Sequence, residues 1–231
     1  MSVSAVIVAA GSSMRMDNGV DKLSVMIEGH SLLSWTISRF EAVSDIDEII
    51  LVVRAESIES VREEVAGNEE FKKVNAVVAG GDQRQDSTEN GLNATAEDAE
   101  IVLIHDGARP LVHAEDIYSV IQSTKENGAA LLAARCKDTV KEVMDSKIIK
   151  TLSRDTVWLA QTPQGFRKDI IVDALKSARD DGYLGTDEAS LVERMGVDVS
   201  IVEGRSNNIK VTFPEDVEHI RSYLKRELMD A

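Results

Sequence analysis

The sequence is poor in several things that would have simplified its reading. It has one cysteine, Cys136, among 231 residues, so no intrachain disulfide can form and no cysteine-based zinc site exists. Lys137 follows Cys136 and no histidine lies near it, which suits a structural or incidental thiol better than a nucleophile. No apolar run approaches the roughly 20 residues of a membrane span. The opening run Val3-Ser4-Ala5-Val6-Ile7-Val8-Ala9-Ala10 has no basic segment before it, so it reads as a buried strand and not a leader. A cytoplasmic enzyme is the expectation. Net positive charge is also missing. The formal charge is −15, which argues against nucleic acid as the main partner. Against that acidic background, Lys and Arg beside loop glycines stand out as local anion holders.

What remains is ordinary for a chain that buries a core: 43% hydrophobic and 29% charged residues. Strand and helix patterns alternate. Short, mainly apolar runs at residues 5–9, 48–53, 74–79, 101–105 and 129–134 fit parallel strands covered on both faces. Helical patterns lie between them, at residues 32–43, 57–65, 87–96 and 114–127. Such repetition predicts an α/β fold: a mostly parallel twisted sheet with helices on both faces. The pattern breaks at residues 138–155, where Val140, Val143, Ile148, Ile149 and Leu152 alternate loosely around a turn at Asp145-Ser146. This segment reads as an inserted β-arm that leaves apolar side chains for a second subunit, or as a hairpin folded back on its own domain. Regular elements return: a helix at residues 167–180, another capped by Thr186-Asp187-Glu188, a strand at 197–203, and a C-terminal helix opened by Thr212-Phe213-Pro214-Glu215 with capping-box spacing. With no linker or repeat, one domain spanning 1–231 with one inserted arm is the simplest organisation.

Several loops carry chemistry. Ala10-Gly11-Ser12-Ser13-Met14-Arg15, with Lys22 beyond it, follows the first strand, where an open α/β sheet binds ligands. It is neither a dinucleotide fingerprint nor a P-loop, but it offers backbone N–H groups and two cations. Standing alone it could also be a solvated loop, the lesser of the two readings. Gly80-Gly81-Asp82-Gln83-Arg84-Gln85-Asp86-Ser87 occupies the same position after a later strand. There Asp82 and Ser87 could bond the edge of a base, since a carboxylate accepts from an exocyclic amino group such as that of cytosine; a helix N-cap at Ser87 is an equal reading. In His105-Asp106-Gly107-Ala108-Arg109-Pro110, Asp106 ends a buried strand, where one carboxylate plus substrate phosphates can hold Mg²⁺, and Arg109 could grip a phosphate. An Asp–Arg turn ion pair is the plain alternative, and His105 reads as a packed residue. Further on stand Asp138-Thr139-Val140-Lys141, Arg154, Gln161-Thr162-Pro163-Gln164-Gly165-Phe166, Thr186-Asp187-Glu188-Ala189 and Val202 to Thr212 with Lys210.

In their order these segments cover nearly the whole chain: A-A-G…R-M…K, G-G-D-x-R-x-x-S, H-D-x-A-R-P, D-T-x-K, T-P-Q-x-F, T-D-E-A and V-E-G-x-x-x-N-I-K-V-T. Together they resemble the 2-C-methyl-D-erythritol 4-phosphate cytidylyltransferases of the non-mevalonate isoprenoid pathway. The resemblance implies a Rossmann-like nucleotidyltransferase fold, a homodimer joined by exchanged β-arms, and Mg²⁺-dependent use of CTP with a phosphorylated polyol. It implies a catalytic set of Arg15, Lys22, Arg154 and Lys210, with Arg15 and Lys22 at the triphosphate. Asp106 would bind the metal. Ala10, Gly11, Gly81, Asp82 and Ser87 would hold CTP, the last two reading cytosine. Arg109, Thr139, Arg154, Thr162 and Lys210 would hold the acceptor, with Thr139 and Arg154 reaching it from the other subunit. Ser12-Ser13-Met14, Asp21-Lys22-Leu23 and Gly107 depart from the family's commonest pattern. A ribitol 5-phosphate cytidylyltransferase and a non-catalytic nucleotide-binding dimer are the rival readings. The first is less similar around H-D-G-A-R-P and D-T-V-K, and the second has no need of five functional groups on separate loops.

Overall fold

In the computed structural model, residues 1–11 and 22–230 are described, except for the side chain of residue 230. The elements in chain order are β1 (Val3–Ala9), β2 (Met26–Ile27), β3 (His30–Ser31), α1 (Leu32–Glu41), β4 (Glu48–Val53), α2 (Ile58–Ala66), β5 (Val74–Ala79), α3 (Arg84–Asn93) and β6 (Ile101–Asp106). Then come α4 (Ala114–Asn127), β7 (Ala129–Arg135), β8 (Lys141–Met144), β9 (Lys147–Thr151), β10 (Trp158–Arg167), α5 (Lys168–Asp180), α6 (Glu188–Arg194), β11 (Ser200–Glu203) and α7 (Pro214–Asp230).

Among the described residues seven strands form one sheet in the order β11-β7-β10-β6-β1-β4-β5. All neighbours are parallel except β10, which runs antiparallel to both β6 and β7. The expected α/β architecture is therefore present, with one reversed strand inside it. That strand carries Gln161, Thr162, Pro163, Gln164 and Gly165, a polar and Pro/Gly-containing run whose pairing with β7 shifts register between Ala160 and Gln164. Its composition hid it from pattern reading, because strands are usually betrayed by apolar or β-branched residues and spared proline.

The sheet is covered on both faces. On one side Val3, Ala5 and Ile7 of β1 pack with Leu32, Ile37 and Phe40 of α1, Ile117 and Val120 of α4, and Ile220 and Leu224 of α7. On the other, Val6 and Ile104 meet Leu92 of α3, Ile171 and Leu175 of α5, and Leu191 and Val192 of α6. Burial on two faces explains why these strands are continuous apolar runs. α3 lies directly on the sheet at Gly91, where a Cβ would collide with Val6 and Val52. That close approach places the helix's first residue, Arg84, beside the carboxyl end of β6.

Several boundaries differ from the sequence reading. α3 starts at Arg84, three residues before the expected Ser87, because the Asp86 carboxylate accepts from the Gln83 backbone N–H at 3.0 Å and closes the first turn earlier. Ser87 is thus inside the helix and not its N-cap. At α7, the two backbone N–H groups of Thr212 and Phe213 donate to Asp216 Oδ2, both at 2.8 Å, so Asp216 does the work expected of the Thr212–Glu215 spacing. β8 and β9 form a separate hairpin whose turn residues Asp145 and Ser146 both have positive φ, as a tight hairpin turn requires. Val143, Met144, Ile148 and Ile149 on it are all exposed. Among the described residues no helix is long and apolar enough to cross a membrane.

Candidate active site

The functional groups gather at the carboxyl ends of β1, β6 and the adjoining loops. Asp106 ends β6 with its side chain 7% exposed. Among the described residues three cations surround it. Arg84 Nη1 bonds Oδ1 at 2.5 Å, while Arg109 Nε and Lys210 Nζ bond Oδ2 at 3.2 and 3.0 Å. Arg84 forks: its Nη2 bonds Glu188 at 2.9 Å, and Glu188 also accepts from Thr88 Oγ1 at 2.7 Å. Glu188 opens α6 and is 2% exposed. The cluster thus sets three cations against two carboxylates in a chain whose net charge is −15. A local positive excess at strand ends is where an anionic ligand would be held.

Electrostatics keeps Asp106 and Arg84 ionised. Burial alone would raise the Asp106 carboxyl, but Arg84, Lys210 and Arg109 outweigh it and hold it far below the usual carboxylate range. Burial likewise works against charge on Arg84, yet Glu188 and Asp106 more than compensate and keep its guanidinium firmly protonated. His105, directly before Asp106, goes the other way: complete burial pushes its imidazole down to about 3. Its ring packs on Phe40 at 4.7 Å between centroids, which accounts for the burial.

That shift predicts a pH dependence of stability. The unfolded chain takes up a proton on His105 near its ordinary 6.5, whereas the folded chain refuses it until about 3. A depressed folded pKa means stability is lost as pH falls through that window, at a limiting slope of about 1.4 kcal/mol per pH unit from this group. Urea unfolding between pH 7 and 4.5 should therefore show a shallower decline in His105→Gln than in the parent chain, by about one proton's worth. Equal slopes would show that His105 is not buried neutral.

Loops fasten the cluster. Arg109 Nη1 donates to the Asn208 carbonyl at 2.8 Å, and the Asn208 amide donates to Gln161 Oε1 and the Thr162 carbonyl at 3.1 and 3.0 Å. Val211 N–H donates to the Ala108 carbonyl at 2.9 Å, locking the Lys210 segment onto the loop after β6. From the other end of the chain, Lys22 Nζ donates to the Val211 carbonyl at 3.1 Å.

Over residues 3–226 the chain matches the sequence model described as "IspD: 2-C-methyl-D-erythritol 4-phosphate cytidylyltransferase". The chain belongs to this family. A 2-C-methyl-D-erythritol 4-phosphate cytidylyltransferase of Syntrophus aciditrophicus is 44% identical over 226 residues, covering 97% of each chain. One from Geobacter metallireducens is 42% identical over 231 residues, covering 99% of this chain and all of its own. Among solved structures, the 4-diphosphocytidyl-2C-methyl-D-erythritol synthase of Anaerococcus prevotii superposes with a TM-score of 0.86 at 32% identity, covering 97% of this chain and 96% of its own. The 2-C-methyl-D-erythritol 4-phosphate cytidylyltransferase of Thermus thermophilus superposes at 0.78 and 29%, covering 97% and 100%.

The cytidylyltransferase motifs fall in two places. Asp106, Arg109 and Lys210 are in direct contact, and Thr162 joins them by accepting from the Asp106 N–H at 3.0 Å. Ala10, Gly81 and Ser87 form a neighbouring wall: a Cβ on Gly80 would strike both Ala10 and Ser87, and Gly81 N–H donates to Ser87 Oγ at 3.1 Å. Gly11 is exposed with open space where a side chain would stand, and Asp82 is exposed beside this wall. Arg15 lies outside the described residues. Thr139 and Arg154 are exposed at the foot of the β8–β9 hairpin, and among the described residues neither touches the Asp106 cluster; Arg154 Nη1 reaches only the Lys137 carbonyl, at 3.5 Å. Sequence reasoning missed Arg84 and Glu188. Both sit inside the quoted motifs G-G-D-x-R and T-D-E-A, but their pairing spans 104 residues and nothing local announces it.

Proposed function

We propose that the chain transfers a cytidylyl group from CTP to 2-C-methyl-D-erythritol 4-phosphate, releasing pyrophosphate, in the cytoplasm as a homodimer. The observation that carries the reading is the Asp106–Arg84–Arg109–Lys210 cluster at the strand ends, inside a chain that matches this family along nearly its full length.

The nucleophile is the acceptor's phosphate monoester, whose second pKa is about 6, so it is already mostly dianionic at neutral pH. No general base is required, which agrees with a His105 that is buried and neutral. The task is to align two anions and to neutralise charge as the bond to the α-phosphorus forms and the bond to pyrophosphate breaks. Arg15 and Lys22 serve the triphosphate; Lys210, Arg109 and Thr162 serve the acceptor. Ala10 and Gly11 offer backbone to the phosphates, and Gly81, Asp82 and Ser87 the edge of cytosine.

Asp106 fits Mg²⁺ by donor chemistry: it is a buried, ionised oxygen ligand at a strand end. Among the described residues no group of three or more His, Cys, Asp or Glu side chains could hold a metal. Phosphate oxygens and water would therefore complete the shell, as Mg²⁺ commonly allows. When bound, the ion neutralises triphosphate charge.

The exposed apolar hairpin, with Thr139 and Arg154 at its foot, supports an arm exchanged between subunits. Arg154→Ala should then raise the KM for the acceptor at least tenfold, roughly one charged hydrogen bond, and move the KM for CTP far less. Equal damage to both would contradict the acceptor role. The activity itself is tested by pyrophosphate release from CTP with added Mg²⁺, offering 2-C-methyl-D-erythritol 4-phosphate or ribitol 5-phosphate. Turnover with the first only is expected. Preference for ribitol 5-phosphate, or no turnover with either, would overturn the assignment.

A further inference from the structure

His105 bonds on both ring nitrogens, and the two partners differ in kind. Nε2 lies 3.1 Å from the Arg109 carbonyl oxygen, which can only accept, so Nε2 carries the ring's hydrogen. The ring is completely buried, which disfavours a charged imidazole, and an imidazole without the charge has one N–H. Nδ1 is therefore a bare lone pair. The Thr162 hydroxyl lies 3.0 Å from Nδ1 and must donate to it. That uses the only proton Thr162 has. The same oxygen accepts from the Asp106 N–H at 3.0 Å. A hydroxyl has two lone pairs, so one remains.

We infer that His105 is a positioning residue that fixes the Thr162 hydroxyl as a hydrogen-bond acceptor only, so that Thr162 recognises an O–H of the acceptor polyol and not a phosphate oxygen. The inference rests on the placing of Thr162 at the acceptor site proposed above. A phosphate dianion presents lone pairs and would meet the remaining lone pair of Thr162 unfavourably; a polyol hydroxyl brings the proton that Thr162 lacks. The arrangement thus sorts the two ends of the acceptor. Its phosphate is left to the cations, and one of its hydroxyls is directed to Thr162. The chain of bonds from the Arg109 carbonyl through His105 to Thr162 also ties this polarity to the loop that carries Arg109. The His105 ring is oriented by one backbone carbonyl, much as an outer partner fixes the tautomer of a ligating histidine.

The test uses deoxyfluoro analogues of 2-C-methyl-D-erythritol 4-phosphate, each with one hydroxyl replaced by fluorine, which accepts weakly and never donates. One analogue should lose about tenfold or more in kcat/KM with the parent enzyme, the scale of one unsatisfied hydrogen bond. Thr162→Val should erase that discrimination. His105→Phe keeps an aromatic ring against Phe40 but frees the Thr162 proton to turn toward the substrate. Discrimination against the same analogue should then fall several-fold, with the KM for CTP little changed. If His105→Phe retains full discrimination, the positioning role is wrong. If Thr162→Val leaves the acceptor KM unchanged, Thr162 is not at the acceptor site, and the earlier placing fails instead. A measurement independent of variant folding is the ¹⁵N spectrum of the imidazole nitrogens in the unmodified protein at neutral pH. His105 should show a protonated Nε2 and a bare Nδ1; the opposite tautomer or an imidazolium overturns the inference.

Discussion

Lys22→Ala is expected to lower kcat by about a hundredfold or more, the scale of losing one preorganised transition-state donor. Lys22 begins a short 3₁₀ turn, Lys22–Ser24, whose Leu23 is buried in the core, so the base of its side chain is held. Its ammonium donates to the carbonyl of Val211, the residue after Lys210. Two lysines separated by nearly the whole chain thus converge on one loop. The carbonyl contact positions the ammonium on that loop. Lys22→Arg should recover part of kcat, since charge returns but not the compact geometry. Thermal unfolding of Lys22→Ala should stay close to the parent. An unchanged kcat would remove Lys22 from the reaction.

Arg84→Ala is expected to destabilise the fold by about 3–5 kcal/mol, because it leaves two buried carboxylates short of their shared cation. Asp106 would keep Lys210 and Arg109, but among the described residues Glu188 would keep only the Thr88 hydroxyl. Glu188 and Asp106 belong to different elements, α6 and β6, so the guanidinium also joins parts of the fold that meet at the site. Arg84→Lys should restore less than half, because an ammonium cannot fork to both carboxylates. In Arg84→Ala/Glu188→Gln the loss should be smaller than the sum of the single losses, since removing Glu188's charge relieves what the missing arginine left behind. Urea denaturation of the parent, the two single variants and the double variant measures this. A loss under about 1 kcal/mol for Arg84→Ala would mean that solvent screens these pairs as it does surface ones.

The sheet was legible because strands buried on both faces are built on continuous apolar runs, as at residues 49–53 and 101–104. β10 was not, because its middle is built from polar side chains that bond inward: Gln164 to Asp187 and Ala189, and Thr162 to His105. Burial there is satisfied by hydrogen bonds, which leave no periodic trace. Within the candidate site, Asp106, Arg109 and Lys210 could be named because short motifs expose them. Arg84 and Glu188 act as a pair whose members lie far apart in sequence, and only folding shows that each has the other. His105 is packed and fully buried, yet its two nitrogens both bond at the site.

The most direct test of cytidylyl transfer at this cluster is a crystal structure of the protein with CTP and Mg²⁺. The account predicts cytosine against Asp82 and Ser87, the triphosphate across the loop after β1 toward Lys22, and the metal on an Asp106 oxygen with Arg84 still held by Glu188. CTP bound away from the β1 and β6 strand ends, or a metal held without Asp106, would contradict it.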